Sequence, residues 1–541
     1  MSEALRTALP GELEQAVAER LDAAARAGVG ERIWARDATL WGEPGTPEIA
    51  DRLGWLDSPE AMRGAPAEIE ALRSECAADG ITDVVLLGMG GSSLAPEVFR
   101  VSFDRRPGGL ELRVLDSTHP DAVLAVEHAI DVERTLFLVS TKSGATIETL
   151  SLFRHFHARV SERRGGDAGS AFVAITDPGS SLVELAEAHG FRRTFLNDPD
   201  IGGRYSALSY FGLAPAGLSG VDVEAVVERA RGAADASRVG GQAGDALWLG
   251  AALGELASRG RDKLTLVLDE PIEALGLWIE QLIAESTGKH GRGILPIAGE
   301  PLGDPGSYGS DRVFVAHGGD PAVLDALAAA GHPAIELAYD GVDDLGRLFF
   351  VWELATAVAG WALEINPFDQ PNVQEAKDAT AAVLERHGER GTLEDVPAAD
   401  DPALSALAER LEPPAYLALM GYLEPTTGVD RAVAALRAAI RDAHGVATSF
   451  GYGPRFLHST GQLHKGGPAT GSFVQLLTTP HEDVEIPEAG YSFATLHRAQ
   501  ADGDLETLRS HGLPAGRVVL EGDPAAAIER LVERLGRDRE P

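Results

Sequence analysis

Residues 136–149 read LFLVSTKSGATIET, and this stretch decides the fold. Four apolar residues, 136–139, form a short strand. Ser140, Thr141, Lys142, Ser143 and Thr146 then crowd a turn around Gly144, and a helical pattern opens at once. A strand that ends in a hydroxyl-rich turn and feeds a helix N-terminus is an anion cradle. Its backbone N–H groups point outward, the helix dipole favours negative charge, and the hydroxyls add donors. The G-x-x-x-x-G-K-[ST] spacing that wraps a nucleotide's phosphates is missing, so a single phosphoryl group is the better fit. Taken alone, the turn reads equally well as an N-cap with spare hydroxyls.

Outward from this stretch the chain alternates strands and helices. The apolar runs 83–87, 112–115, 136–139, 171–175 and 193–196 are strands separated by helical stretches such as 181–188. The pattern restarts with strands at 263–268, 313–316 and 334–338 and helices at 272–285 and 345–363. Near-continuous apolar strands with helical crossovers predict parallel sheets covered on both faces. The expected class is therefore α/β, with two doubly wound parallel-sheet domains at 61–220 and 221–390. A helical extension precedes them at 1–60, where Trp34, Trp41 and Trp55 are expected to pack onto a neighbouring domain. Residues 390–401, RGTLEDVPAADD, read as a surface linker or long exposed loop. The C-terminal region, 391–541, is expected to be largely helical, with a glycine-rich segment at 451–471 and one closing strand and helix at 517–520 and 524–535.

With 541 residues and 44% apolar content, the chain has material for several cores. No run of about 18 apolar residues exists to span a membrane, and the first twenty residues lack a secretory apolar region. The single cysteine, Cys76, fits a reducing cytoplasm. The 83 acidic residues against 47 basic ones give a net charge of −36. Such a field opposes nonspecific nucleic-acid binding, and a phosphate site within it needs its own local donors.

Several further stretches carry chemistry. Residues 88–93, GMGGSS, fall short of G-x-G-x-x-G because Ser93 stands where the third glycine belongs. Asp116 after the next strand imitates the acidic ribose ligand of a dinucleotide site, so a nicotinamide cofactor stays open at this point. Residues 200–206, DIGGRYS, set Arg204 behind two glycines, where its fork suits an oxyanion. Along 272–289, IEALGLWIEQLIAESTGK, the apolar positions Ile272, Leu275, Ile279 and Leu282 form a stripe, and Glu285 projects from its side. Burial there raises a carboxyl pKa towards neutrality, as a general base requires. Residues 368–377, FDQPNVQEAK, place Lys377 on the inward side of a helix, and 458–467, HSTGQLHKGG, hold His458 and His464, too poor a pair for a metal.

Together these segments resemble the phosphoglucose isomerase (glucose-6-phosphate isomerase) family. The matching pieces are GGSSLAP (90–96), STKSGATIET (140–149), GGRYS (202–206), EQLIAESTGK (280–289), NPFDQPNVQEAK (366–377) and HSTGQ (458–462). The resemblance implies two sugar-isomerase (SIS) α/β domains. It matches Glu285 to the catalytic base, Arg204 to the arginine that steadies the intermediate, Lys377 to the family's helix lysine and His458 to the ring-opening histidine. Ser140, Thr141, Lys142, Ser143, Thr146 and Thr149 match the phosphate loop, and Gly91, Ser92, Gln281 and Gln370 match other substrate contacts. One departure is the order: His458 follows Lys377 by about eighty residues, whereas in familiar members the histidine segment precedes the FDQ helix. The segments after it, GQLHKGGPATGSFVQLL and EDVEIP, also resemble what normally follows that histidine, so the order looks permuted, as in the isomerase half of transaldolase–isomerase fusions. His464 is the fallback for the role.

The resemblance implies interconversion of glucose 6-phosphate and fructose 6-phosphate through a cis-enediol(ate), a step of glycolysis and gluconeogenesis. It implies no metal or redox cofactor, a cytoplasmic homodimer, and no nucleic-acid or membrane partner. A dual phosphoglucose/phosphomannose isomerase and a noncatalytic SIS-type regulator that binds sugar phosphates are the competing expectations.

Overall fold

The computed structural model describes residues 5–104, 106–239, 244–390, 407 and 410–537. Three sheets organise the described residues. The first has five parallel strands in the order β3-β2-β4-β5-β6, formed by β2 (Asp83–Gly88), β3 (Glu111–Leu115), β4 (Thr135–Ser140), β5 (Phe172–Thr176) and β6 (Arg193–Leu196). Its central strand explains the reading of 136–149. Leu136 and Leu138 enter the core shared with the N-terminal helices and the second domain, while Phe137 and Val139 enter the opposite layer with Phe156 and Phe172. A strand buried on both faces needs apolar residues at every position, and this one has them.

The second sheet follows the order β1-β10-β9-β7-β8, with β7 (Lys263–Leu268), β8 (Leu295–Ile297), β9 (Arg312–His317) and β10 (Ala334–Leu337) parallel. Its remaining strand, β1 (Leu5–Ala8), pairs antiparallel with β10. The N-terminal region is thus not helical throughout; it closes an exposed edge of the second sheet. Its tryptophans pack as expected. Trp34 stacks on Phe350, Trp41 donates to the Ala357 carbonyl at 2.8 Å, and Trp55 stacks on Tyr205.

The C-terminal region differs from the helical expectation. It holds a four-stranded parallel sheet in the order β12-β11-β13-β14, from β11 (Tyr416–Tyr422), β12 (Ala447–Tyr452), β13 (Gly471–Leu477) and β14 (Ala515–Val519). Separate apolar layers cover its two faces. A buried ion pair joins it to the second sheet: Arg312 on β9 meets Glu300 at 2.9 Å, and Glu300 accepts from the Thr448 backbone and hydroxyl on β12 at 3.0 and 2.7 Å. Most of the predicted linker, from 391 onward, lies outside the described residues. Among the described residues no helix is long and apolar enough to cross a membrane.

Candidate active site

In the first sheet, the strand following β2 in sequence lies on one side of it and β4 lies on the other, so the order reverses between β2 and β4. Crevices outside the carboxyl ends of strands at such a reversal are where open α/β sheets bind ligands. Two turns meet there: Gly90–Ser92 after β2, and the hydroxyl turn after β4. Ser140 donates to the Ser92 carbonyl at 3.3 Å, tying one to the other. Thr141 and Thr146 share a hydroxyl hydrogen bond of 2.8 Å. Gly144 adopts φ +75°, and a Cβ there would lie 2.5 Å from the Leu182 nitrogen, so only glycine fits. The Ile147–Arg164 helix starts immediately after Thr146. Ser143 is exposed and accepts from the Ala145 N–H, while the Thr149 hydroxyl is buried without a partner among the described residues. Lys142 is aimed elsewhere. Its ammonium pairs with Asp177 beyond β5 and donates to the Pro199 carbonyl at 2.9 Å.

Arg204 sits in the Gly203–Tyr205 turn, packed against the Gly90–Ser92 turn. A Cβ on Gly91 would lie 2.1 Å from the Gly203 carbonyl oxygen, so Gly91 lets two backbones touch. The guanidinium is 2% exposed and almost saturated. Its Nε donates to Ser286 at 2.7 Å, Nη1 to Gln370 at 3.1 Å, and Nη2 to the Pro367 and Asp369 carbonyls at 2.8 and 3.1 Å. A guanidinium carries five N–H groups. The remaining one is on Nη1, and Glu285 Oε1 lies 3.6 Å from that nitrogen.

Glu285 and Gln281 lie one turn apart on the Leu275–Thr287 helix. That helix is buried almost all round rather than along one stripe, so Glu285 is enclosed at 6% exposure. Burial raises its pKa above the ordinary glutamate value; Arg204, the Gln281 hydrogen bond, His458 and Lys289 pull the other way. Gln281 Nε2 donates to Glu285 Oε2 at 3.1 Å and to the His458 carbonyl at 2.7 Å.

His458 ends the Arg455–His458 turn that follows β12, so the third sheet of this same chain delivers it to the crevice. Its Nε2 lies 3.0 Å from Glu148 Oε1, and Glu148 also accepts from Gln500 at 2.7 Å. Glu148 stands two residues beyond Thr146, which makes the hydroxyl turn, His458, Gln281 and Glu285 one continuous assembly. Asp116, the imitation of a ribose ligand, is engaged by protein groups. It accepts from Ser93 at 3.1 Å and pairs with Arg455 at 3.4 Å, anchoring the histidine turn. His464 is elsewhere: buried against Tyr416 and Phe473, it hydrogen-bonds the Tyr416 hydroxyl at 2.9 Å, and burial lowers its pKa to about 3. Lys377 lies on the Val373–Arg390 helix, and its side chain is outside the described residues. Among the described residues, no group of three or more histidine, cysteine or acidic side chains is placed to hold a metal ion.

Glu148 escapes a reading of the sequence because an acidic residue in a first helical turn looks like dipole compensation. Its partners are 310 and 352 positions away.

The family model described as phosphoglucose isomerase matches residues 67–291. A glucose-6-phosphate isomerase from Rubrobacter xylanophilus is 30% identical over 399 residues, which cover 63% of this chain and 91% of that protein. One from Symbiobacterium thermophilum is 31% identical over 407 residues, covering 62% and 87%. Among solved structures, a hypothetical protein from Thermus thermophilus matches with a TM-score of 0.60 and 26% identity, over 70% of this chain and 99% of that one. A glucose-6-phosphate isomerase from Chlamydia trachomatis shares the fold at a TM-score of 0.52 and 19% identity, over 67% and 78%. With such identity sustained over nine-tenths of a relative's length, this chain belongs to the phosphoglucose isomerase family.

Proposed function

We propose that the protein interconverts glucose 6-phosphate and fructose 6-phosphate, as in glycolysis and gluconeogenesis. The observation that carries this reading is the enclosed Glu285 beside Arg204, linked through Gln281, His458 and Glu148 to the hydroxyl turn. The phosphoryl group rests on the turn at Thr141, Ser143 and Thr146, with Ser92, Ser140 and Thr149 at its edge. Gly91, Gln281 and Gln370 line the sugar, and Lys142 buttresses the turn through Asp177. Glu285 takes the proton from one carbon and returns it to the other, and Arg204 meets the negative oxygen of the cis-enediolate. His458, oriented by Glu148 and paired with Lys377, opens the sugar ring. Moving a proton between adjacent carbons asks for a base, a cation and a ring-opening pair, so the reading names no cofactor. A noncatalytic regulator has no use for a buried base opposite an arginine. The protein acts in the cytoplasm as a homodimer in this reading.

The test is turnover of purified protein with fructose 6-phosphate against mannose 6-phosphate, glucose 6-phosphate being read by a coupled dehydrogenase. Turnover of fructose 6-phosphate is expected, at least tenfold faster than mannose 6-phosphate. Equal rates favour the dual-specificity enzyme, and no turnover with either removes the isomerase reading.

The ring-opening role has its own test. His458→Asn should slow turnover of fructose 6-phosphate by about 100-fold. It should spare C2 proton exchange on a four-carbon aldose phosphate, whose terminal hydroxyl is esterified and cannot close a stable ring. Glu148→Gln should behave alike but more mildly. If His458→Asn slows exchange on the four-carbon sugar equally, His458 acts in proton transfer instead.

A further inference from the structure

Two residues past the helix that carries Glu285 lies Lys289, a side chain the proposed chemistry does not use. It is 1% exposed, and its ammonium lies 2.6 Å from Asp369 Oδ1 and also donates to the Asn366 carbonyl. An ammonium so enclosed is tolerated only with close partners. Here both partners belong to the segment 366–370. That segment also provides the Pro367 carbonyl, the Asp369 carbonyl and the Gln370 side chain that saturate Arg204. Two buried cations therefore grip one short loop. Phe368 within it lies edge-on to Trp41 and tilted against Tyr205, and its N–H is held by the Asn366 side chain at 3.0 Å. Without Lys289 the loop loses the contacts that set the direction of its carbonyls, and the Asp369 carboxylate is left beside no cation of its own.

We propose that Lys289 is a positioning residue for the isomerisation: it holds 366–370 so that Arg204 keeps one N–H for the reacting oxygen. This rests on the isomerase reading above. The groups facing Glu285 are Arg204, Gln281, His458 and Lys289; those facing Lys289 are Arg204, Asp369 and Glu285. Burial, helped by Arg204 and opposed by Asp369, lowers the Lys289 pKa to about 7. It is mostly charged below that pH and mostly neutral above it, so kcat is expected to decline on the alkaline side with a contribution from Lys289. Arginine in its place stays charged throughout.

The experiment compares wild type, Lys289→Met, Lys289→Arg and the double variant Lys289→Met/Asp369→Asn with fructose 6-phosphate across pH. Lys289→Met is expected to lower kcat about 30-fold while KM rises by less than about fivefold, because the phosphoryl grip lies in another loop and only Gln370 of the groups lining the sugar moves with 366–370. Its acid limb should move to higher pH, since Glu285 loses a neighbouring cation. Lys289→Arg should restore most of kcat and extend activity to higher pH. The double variant removes the stranded carboxylate, so it is expected to fold even where Lys289→Met does not, and to keep the low kcat. Wild-type kcat and pH profile in either methionine variant would overturn the inference alone. A loss in which KM rises in step with the fall in kcat, unrelieved by arginine, would reduce Lys289 to a merely structural role and overturn it too. A wild type inert towards fructose 6-phosphate overturns the isomerase reading and this inference with it.

Discussion

Glu285→Gln is expected to reduce turnover of fructose 6-phosphate by about 1,000-fold or more, within the range that a positioned general base contributes, while sugar-phosphate binding stays within a few-fold of wild type. The substitution keeps the shape of the side chain and an oxygen for Gln281 to donate to, so the helix has little reason to move. What it removes is the carboxylate opposite the free N–H of Arg204. Calorimetric titration with a sugar-phosphate inhibitor, beside the turnover assay, separates the two effects. Retained turnover would take Glu285 out of the reaction, and loss of binding in parallel with turnover would make it a ligand of the substrate. The wild-type pH profile is a companion reading. Burial disfavours the charged carboxylate, so Glu285 picks up its proton at a higher pH than an ordinary glutamate. In the proposed reaction the active form is the ionised one. Activity must therefore fall on the acid side at a pH above the usual glutamate range, and this limb should vanish from the residual rate of the glutamine variant.

Most of the first two sheets was legible because their strands are apolar on both faces; a run such as 136–139 has no other stable home in a chain of this composition. Of the third sheet only its last strand, expected at 517–520 and found at Ala515–Val519, was legible. Gly471–Leu477 and Ala447–Tyr452 open or close on glycine, serine and threonine, so their apolar runs look too broken for central strands. Between them and Tyr416–Tyr422 lies the strongly amphipathic Thr427–His444 helix, whose period dominates the region. Leu5–Ala8 is four residues long and gains its identity from a partner strand more than three hundred positions away, a pairing that no local pattern encodes. Within the site, Glu285, Arg204 and the hydroxyl turn each sit in a stretch whose residue types already point to their chemistry. Glu285 itself is only partly marked by its local pattern. Its helix has no polar face at all, since Glu280, Gln281, Ser286 and Thr287 are enclosed as well, so stripe geometry did not distinguish one carboxylate from the other. Lys142 and Glu148 exchange the prominence that sequence assigns them. The lysine of the phosphate motif is occupied by Asp177, and the unremarked glutamate holds the histidine.

Arg204→Ala is the other change with a large expected effect, and its signature is a split between the two kinetic constants. The guanidinium has four of its five donors fixed, to Ser286, Gln370, Pro367 and Asp369. A cation held this rigidly does not reorganise when charge develops, which is the condition under which it lowers a barrier most. In the proposed reaction the ground-state sugar presents a neutral hydroxyl or carbonyl to the fifth donor, whereas the enediolate presents a negative oxygen. The interaction is therefore worth more in the transition state, and its loss should lower kcat by 100-fold to about 1,000-fold while KM changes by less than about fivefold. Removing the fork also strands the Pro367 and Asp369 carbonyls and leaves the Ser286 hydroxyl only its 3.4 Å contact with Tyr205, so a fall in melting temperature should accompany it. Arg204→Lys discriminates between the two losses. An ammonium restores charge near Glu285 but not the bidentate hold on 366–370, so it should recover part of kcat and little of the melting temperature. A rise in KM with kcat unchanged would instead make Arg204 a ligand of the resting substrate, most plainly of its phosphoryl group, and would leave the enediolate without its cation.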